Sequence, residues 1–506
     1  MIVSGGTIAV VGGDEVAAQA RSDAKIVDLR GKSVTPGLID AHCHLYGLGV
    51  DLESVSVRGL ATEQATAKVV GAAATTLPPG EWLLGRGWDQ NKWPGQAFPT
   101  SATLDQVVGD RPVVLRRIDG HAIWASSKAM ALAGITAGTA DPPGGKIVRA
   151  ASGTPTGVLI DNATELVESK IPPTTADARE RRILAAAAKA TATGITAVHE
   201  MGIDDATADV YKRLATGGKL PLRVYAFLAG DTAHPEALRT RAPAPATRRF
   251  VMRGVKFFAD GALGSRGARL ARPYDDDPNN LGLWVTEPAV LAAAVEAAVD
   301  GGWEVAVHAI GDAGVGSVLD AFAAAEAKHP GTHRLRVEHT QVIAAADVER
   351  MVATHAIASM QPTHATSDMP WAEARIGKDR IAGAYAWRTM LDHHIPLAFG
   401  SDFPVEDVGP LLGIYAAVTR QDAAGNPPGG WYPAQRMTLE EAIAAFTRDA
   451  ARIEGDDTRG VIAAGKVADL TVYDGTLAPD RTLLSLAIAM TIVDGAVVYA
   501  SGEHAR

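Results

Sequence analysis

Residues 36–48 read PGLIDAHCHLYGL. The apolar run after the Pro-Gly pair makes LIDAHCHL (38–45) a strand. Side chains two apart on a strand share a face. His42 and His44 therefore converge, and Cys43 points the other way. Two imidazoles so placed can start a site for Zn²⁺ or a similar ion. The pair alone is a weak signal, because such spacing also arises on ordinary strand surfaces.

Seven further runs have the same strand character: ITAVHEM (195–201), LRVYAFLA (222–229), VKFFADG (255–261), WEVAVHAIG (303–311), LRVEHTQ (335–341), IASMQPTH (357–364) and IPLAFGSDF (395–403). Alanine-rich amphipathic stretches such as 176–193 and 288–300 lie between most of them. Strands alternating with helices predict a parallel sheet, and the count of eight predicts an α/β fold closed into a (β/α)₈ TIM-like barrel. The rival, an open doubly wound sheet, lacks a GxGxxG turn after its first strand.

The gap between the first two strands is far longer than a crossover helix requires. Its Pro-, Gly- and Trp-rich part, about 78–170, holds its own strand-like run RPVVLRRI (111–118) and reads as an insertion subdomain. Loops that follow barrel strands sit at the catalytic face, so the insertion is expected to cover the site. The two ends of the chain are glycine-turned β material. The expected organisation is a composite β-sandwich from 1–36 and 457–506 around a barrel at 37–456. TLEEAIAAFTRDAARI (438–453) opens with a capping box, Thr438 and Glu441.

Composition points away from several classes. Of 506 residues, 47% are hydrophobic and 21% charged, the balance of an ordinary globular enzyme, and the net charge of −10 comes without a basic tract for nucleic acid. One cysteine rules out an internal disulfide framework. No stretch reads as a signal peptide or approaches the ~20 apolar residues of a membrane helix. The expectation is a soluble, cytoplasmic protein whose partner is a small-molecule substrate, with neither nucleic acid nor membrane; self-association into a homo-oligomer is left open.

The histidine pair gains weight from what falls at the other strand ends. His308 closes strand five, His339 strand six and Asp402 strand eight, while Lys256 lies in the apolar strand-four run GVKFFADG, where a bare ammonium is costly. Each histidine singly could be a satisfied polar residue. Jointly, four histidines, a lysine and a carboxylate aimed at one end of a barrel are not explained by packing.

TPGLIDAHCHL, GVKFFADGALGS, HAIGDAGV, VEHTQVI, FGSDFPVE and GVIAAGKVADLTVYDG together resemble the amidohydrolase superfamily. GRGWDQNKWP (85–94) and DGHAIWASSKAMALAGI (119–135) narrow the resemblance to its amidohydrolase-3 group, that of the YtcJ-like proteins and N-substituted formamide deformylases. The resemblance implies a divalent metal, zinc in the first instance, as one or two ions. His42, His44 and Asp402 would bind the more buried ion, and His308 and His339 the more exposed one. Lys256 would carry a CO₂-derived carboxylate bridging the two, and Asp402 would move the proton during catalysis. It also places the segment with Asp119 and His121 near the substrate, with a structural role in the loop as the equal alternative. Trp88, Trp93 and Trp371 are candidates for an aromatic pocket, with packing inside the insertion as the alternative. His199 is a candidate to support a ligand. Arg266, His393 and His394 read as solvated surface residues, and Cys43 as a small buried hydrophobe.

Proteins of this group usually begin with a further strand pair. The abrupt MIVSGGTIAVVG predicts either a shorter sandwich or a start lying upstream. The expected activity is hydrolysis of a non-peptide C–N bond of amide or N-formyl type. A lactone, ester or cyclic-amide hydrolase is the alternative on the same site. A non-catalytic regulatory or assembly protein is a third reading, disfavoured because such a protein has no need of the six ligand positions.

Overall fold

The computed structural model describes residues 1–243, 246–331 and 333–502. Eight strands form one parallel sheet: β1 Leu38–Cys43, β2 Ile195–Ile203, β3 Arg223–Ala229, β4 Phe250–Phe258, β5 Glu304–Ala309, β6 Leu335–His339, β7 Ile357–Met360 and β8 Leu397–Phe399. They pair in chain order from β1 to β8. Just past the two edge strands the ends meet: His44 N donates to Phe403 O, and Asp402 N to His42 O, both at 2.8 Å. The sheet thereby curls into the barrel that the strand count predicts, with helices packed around it.

Strand limits differ from the sequence reading where the chemistry of the chain intervenes. Strand β7 stops at Met360, because Pro362 has no N–H and instead opens the helix Pro362–Asp368. The barrel interior is also more polar than the usual packed layers of Val, Ile and Leu. His199, Lys256, Arg336, Glu338 and Ser359 are all buried. Buried charges are stable only when paired or ligating, so this composition marks the barrel axis as functional.

Between β1 and β2 lies a mixed six-stranded sheet, ordered Val55–Ser56, Leu83–Trp88, Val113–Arg117, Ala122–Ala125, Pro155–Asp161, Gly145–Arg149. Its first strand lies ahead of the Pro-rich run that starts at 78. Leu84 pairs with Val114 and Arg86 with Arg116, and the register then shifts between Arg86 and Trp88. Gly87, at φ +112°, makes that shift possible.

The ends of the chain share one antiparallel sheet, ordered Ala496–Ala500, Ile488–Val493, Leu470–Tyr473, Val34–Pro36. A hairpin, Ile2–Ser4 with Thr7–Val10, adds Ile8 to the cluster of Ala468 and Leu470. Thr471 and Thr491 tie this unit to the barrel by donating to the carbonyls of Gly194 and Thr191, each at 2.7 Å. The helix from Leu439 starts with the Thr438–Glu441 capping box. No helix among the described residues is long and apolar enough to cross a membrane.

Candidate metal centre

The C-terminal ends of β1, β4, β5, β6 and β8 bring His42, His44, Lys256, His308, His339 and Asp402 to one cavity of about 680 Å³. Ligand atoms of His42, His339 and Asp402 lie within 4.8 Å of one another. The rings of His42 and His339 are 4.7 Å apart, and those of His308 and His339 4.6 Å. His44 Nε2 is 3.3 Å from Asp402 Oδ1. Gly400 permits the close approach of β8 to β1, since a Cβ there would lie 2.4 Å from His42 N.

Backbone strain is concentrated at the same spot. His339 (φ 71°), Thr340 (φ 45°) and Asp402 (φ 61°) all adopt left-handed conformations. Such conformations cost on the order of 1 kcal/mol for a side-chain-bearing residue and persist where function requires them. Here they aim His339 and Asp402 into the cavity after their strands have ended.

The hydrogen bonds on the far sides of the rings fix what faces inward. His42 Nδ1 lies 2.5 Å from Glu338 Oε2, and His44 Nδ1 lies 3.0 Å from Met201 O. His339 Nδ1 lies 2.8 Å from Gln361 Oε1, and the Gln361 amide is oriented by its own donation to Ser359 O. Each partner is an acceptor, so each Nδ1 carries a proton and each Nε2 is the nitrogen turned toward the cavity. His308 is reversed, with Nε2 3.3 Å from Gly261 O. Burial, reinforced by Lys256, lowers His42 to about 4; burial likewise holds His308 and His339 well below the usual histidine range. These rings are neutral.

Lone pairs thus confront lone pairs. His42 Nε2 and Asp402 Oδ1 are buried, 3.6 Å apart, and neither has a hydrogen-bond partner among the described residues. An orphaned buried polar atom costs about 1–3 kcal/mol. A cation at the convergence removes the cost for both atoms, and imidazole with carboxylate is the donor set of zinc and its neighbours. The residues present therefore fit a metal.

Several contributors were not visible in the sequence. Glu338 connects His42 to Arg336, whose Nε is 2.8 Å from Glu338 Oε1. Burial opposes the charge on Glu338, but Arg336, His42 and Lys256 outweigh it and hold the carboxyl well below its ordinary range. His364, from the helix after β7, lies 3.2 Å from Asp402 Oδ2 and 3.1 Å from Glu406 Oε1. Burial disfavours its charge, yet these two carboxylates raise it to about 10. Gln361 orients His339. A Glu338→Gln variant should bind metal about 10- to 100-fold more weakly, the usual effect of losing a group that orients a ligand. Chelator competition on the purified protein measures it, and unchanged affinity would remove Glu338 from the site.

The remaining candidates separate. His121, from the insertion, sits with its ring 4.8 Å from that of His308 and its Nδ1 2.7 Å from Asp161 Oδ1. Asp119 lines the same cavity and pairs with Arg117. Trp371 borders a second cavity that shares Asp119, His121, His308, His339 and Asp402 with the first. Trp88 lines neither: it is fully buried against Trp93 and Trp124, and its Nε1 donates to Leu115 O at 2.7 Å. The register shift at Gly87 turns it into the insertion core. His199 lies away from the ligands, between Glu454 (2.6 Å) and Arg336 (2.8 Å). Arg266 pairs with Asp276, His393 with Glu349, and Cys43 is buried and free.

Lys256 is buried and makes no hydrogen bond or ion pair among the described residues; its amine lies 4.9 Å from the centre of the Phe258 ring. Burial pushes it down to about 8, against the pull of Glu338 and Asp402.

The chain is similar to known hydrolases along nearly its whole length. Residues 25–499 match the model of the amidohydrolase family. The amidohydrolase-like protein YtcJ of Bacillus subtilis is 36% identical over 94% of this chain and 90% of its own length. The N-substituted formamide deformylase of Arthrobacter pascens is 30% identical over 99% of this chain and 94% of its own. Among solved structures, a metal-dependent hydrolase from Pyrococcus horikoshii superposes with a TM-score of 0.74 at 28% identity, covering 94% of this chain and 93% of that one.

Proposed function

We propose that this chain, which belongs to the amidohydrolase family, hydrolyses a non-peptide C–N bond of amide or N-formyl type. The observation that carries the reading is the convergence of neutral imidazole lone pairs and the Asp402 carboxylate, at the strand ends of a barrel, beneath a cavity large enough for a small molecule. The similarity to a deformylase along nearly the whole chain directs it to the C–N bond.

His42, His44 and Asp402 would hold one divalent ion, zinc in the first instance, and His308 and His339 a second. Once bound, such ions polarise a carbonyl oxygen and make water nucleophilic near neutral pH. The other steps belong to the chain itself. Asp402 accepts the proton of the attacking water and passes it to the leaving nitrogen, while His364 holds its other oxygen in place. Lys256 carries a carboxylate: its neutral amine bonds to CO₂ with loss of one proton, turning an unpaired buried cation into an anionic ligand. His121, oriented by Asp161, offers Nε2 to the substrate carbonyl side of the cavity.

The test is a panel of N-substituted formamides, acetamides, cyclic amides, lactones and esters offered to metal-loaded protein. Amine release from one of the first two classes, abolished by a chelator and restored by Zn²⁺, is expected. Turnover confined to esters or lactones would overturn the C–N assignment, and a protein that binds no metal would overturn the centre itself.

A further inference from the structure

The insertion sheet presents two rungs to the cavity. Leu84 and Val114 form an apolar rung, and Arg86 and Arg116 form a cationic one. Like charges placed directly opposite each other on neighbouring strands repel. Arg116 is neutralised by Glu168 and also donates to Gly120 O at 2.8 Å. Arg86 is not neutralised: among the described residues it makes no ion pair, and its one protein partner is the carbonyl of Ile118, 3.0 Å from Nη2. Its Nε is buried without a partner.

The surroundings increase the deficit. Arg58, tied to the carbonyls of Pro404 and Val405, adds a further like charge, and both burial and these two arginines disfavour the cation on Arg86. Asp51, on the same cavity wall, attracts Arg86 without pairing with it. Of the other carboxylates of the wall, Asp119 pairs with Arg117, Asp161 with His121, Asp204 with Arg179, and Glu200 with the backbone N–H groups of Leu45 and Tyr46, while Asp402, held by His364, attracts Arg86, as Asp51 does, without pairing with it. A guanidinium with donors free toward a cavity is a fitted receptor for carboxylate, whose two oxygens match its fork. Arg86 also lies within a small molecule's length of the chemistry. Its Nη2 is 3.6 Å from where a side chain on Gly120 would begin, and the next residue, His121, touches His308.

We propose that Arg86 binds a carboxylate on the substrate, so that the substrates are amides or N-formyl compounds carrying an acid group apart from the scissile bond. This rests on the hydrolase reading for its reaction but not for its binding site. Leu84 and Val114 beside it would accept the apolar part of such a molecule.

The test uses N-formyl derivatives of linear ω-amino acids of increasing length, each compared with the N-formyl alkylamine of the same length. Binding to metal-loaded enzyme is read by calorimetry, and turnover by amine release. The acids should bind about 10- to 100-fold more tightly than their neutral counterparts, the range of a hydrogen-bonded charge pair. Arg86→Gln should erase that preference at unchanged metal content, and Arg86→Lys should keep part of it. If Arg86→Gln does not fold, the Lys variant and the wild-type length series still decide the matter. Equal binding of acid and neutral compounds, no binding of the acids, or a preference that survives in Arg86→Gln would overturn the proposal. Preferential binding of acids without turnover would uphold the anion site and count against the hydrolase reading. Turnover of both classes alike would do the reverse.

Discussion

Asp402→Asn should slow hydrolysis of the best substrate by ~10²–10⁴-fold, the usual contribution of general acid–base catalysis, while much of the metal stays bound. Asparagine keeps the shape of the side chain and one carbonyl oxygen, so a ligand atom can still face His42 and His44. What it loses is the capacity to take up and release a proton. Burial opposes the charge on Asp402, yet the hydrogen bond from the His364 imidazolium helps to hold its carboxyl well below the ordinary range. It is therefore present as the base form throughout the neutral region. The amide also meets a conflict at its second position. His364 Nε2 lies 3.2 Å from Oδ2, and an imidazolium there cannot donate to an NH₂ group. The variant must either turn its oxygen to His364, which sets NH₂ against the histidine lone pairs, or lose the His364 contact. Some weakening of metal affinity should accompany the loss of rate. Metal content by elemental analysis and turnover on the same sample separate the two effects. A wild-type rate would show that Asp402 is not the base.

How much of this was legible in the chain follows from where alternation holds. His42 and His44 obey the two-residue period of a strand, and His308 sits at the end of a regular one, so residue spacing alone locates them. His339 and Asp402 were visible by type and position, although their left-handed backbones are not readable from sequence. The same departure hid Glu338. In a regular strand, adjacent residues face opposite ways, so choosing His339 for the site excludes Glu338. The turn at His339 admits both. His364 was hidden because Pro362 converts the end of the seventh run from strand to helix. Trp88 failed for the opposite reason. Alternation from Leu84 and Arg86 would put it on the cavity side, and the register shift at Gly87 reverses it. The unpaired state of Arg86 could not be read from sequence, because it depends on which neighbouring carboxylates are already engaged.

Lys256→Ala should lose metal and activity together. Lys256 sits on β4 between Val255 and Phe257, both fully buried, and its own side chain faces the barrel interior beside the histidine cluster. An unmodified ammonium there would be unpaired, would sit among ligands meant for cations, and would carry a desolvation cost of several kcal/mol. A carboxylated lysine removes each difficulty: it replaces a positive charge with a negative one and adds two oxygen donors to the neutral imidazoles. Alanine removes the donors and leaves a space where the side chain ran. Short carboxylic acids such as formate, acetate or propionate should enter that space and restore part of both metal content and rate, with an optimum set by chain length. Mass spectrometry of the native protein under CO₂ should show a gain of one carboxylate that is absent from the alanine variant. The two substitutions thus report on different things. Asp402→Asn tests proton transfer at a centre that still assembles, and Lys256→Ala tests the assembly. A Lys256→Ala protein with full metal and full activity would show that the lysine bridges nothing, and the burial of its amine would then need another cause.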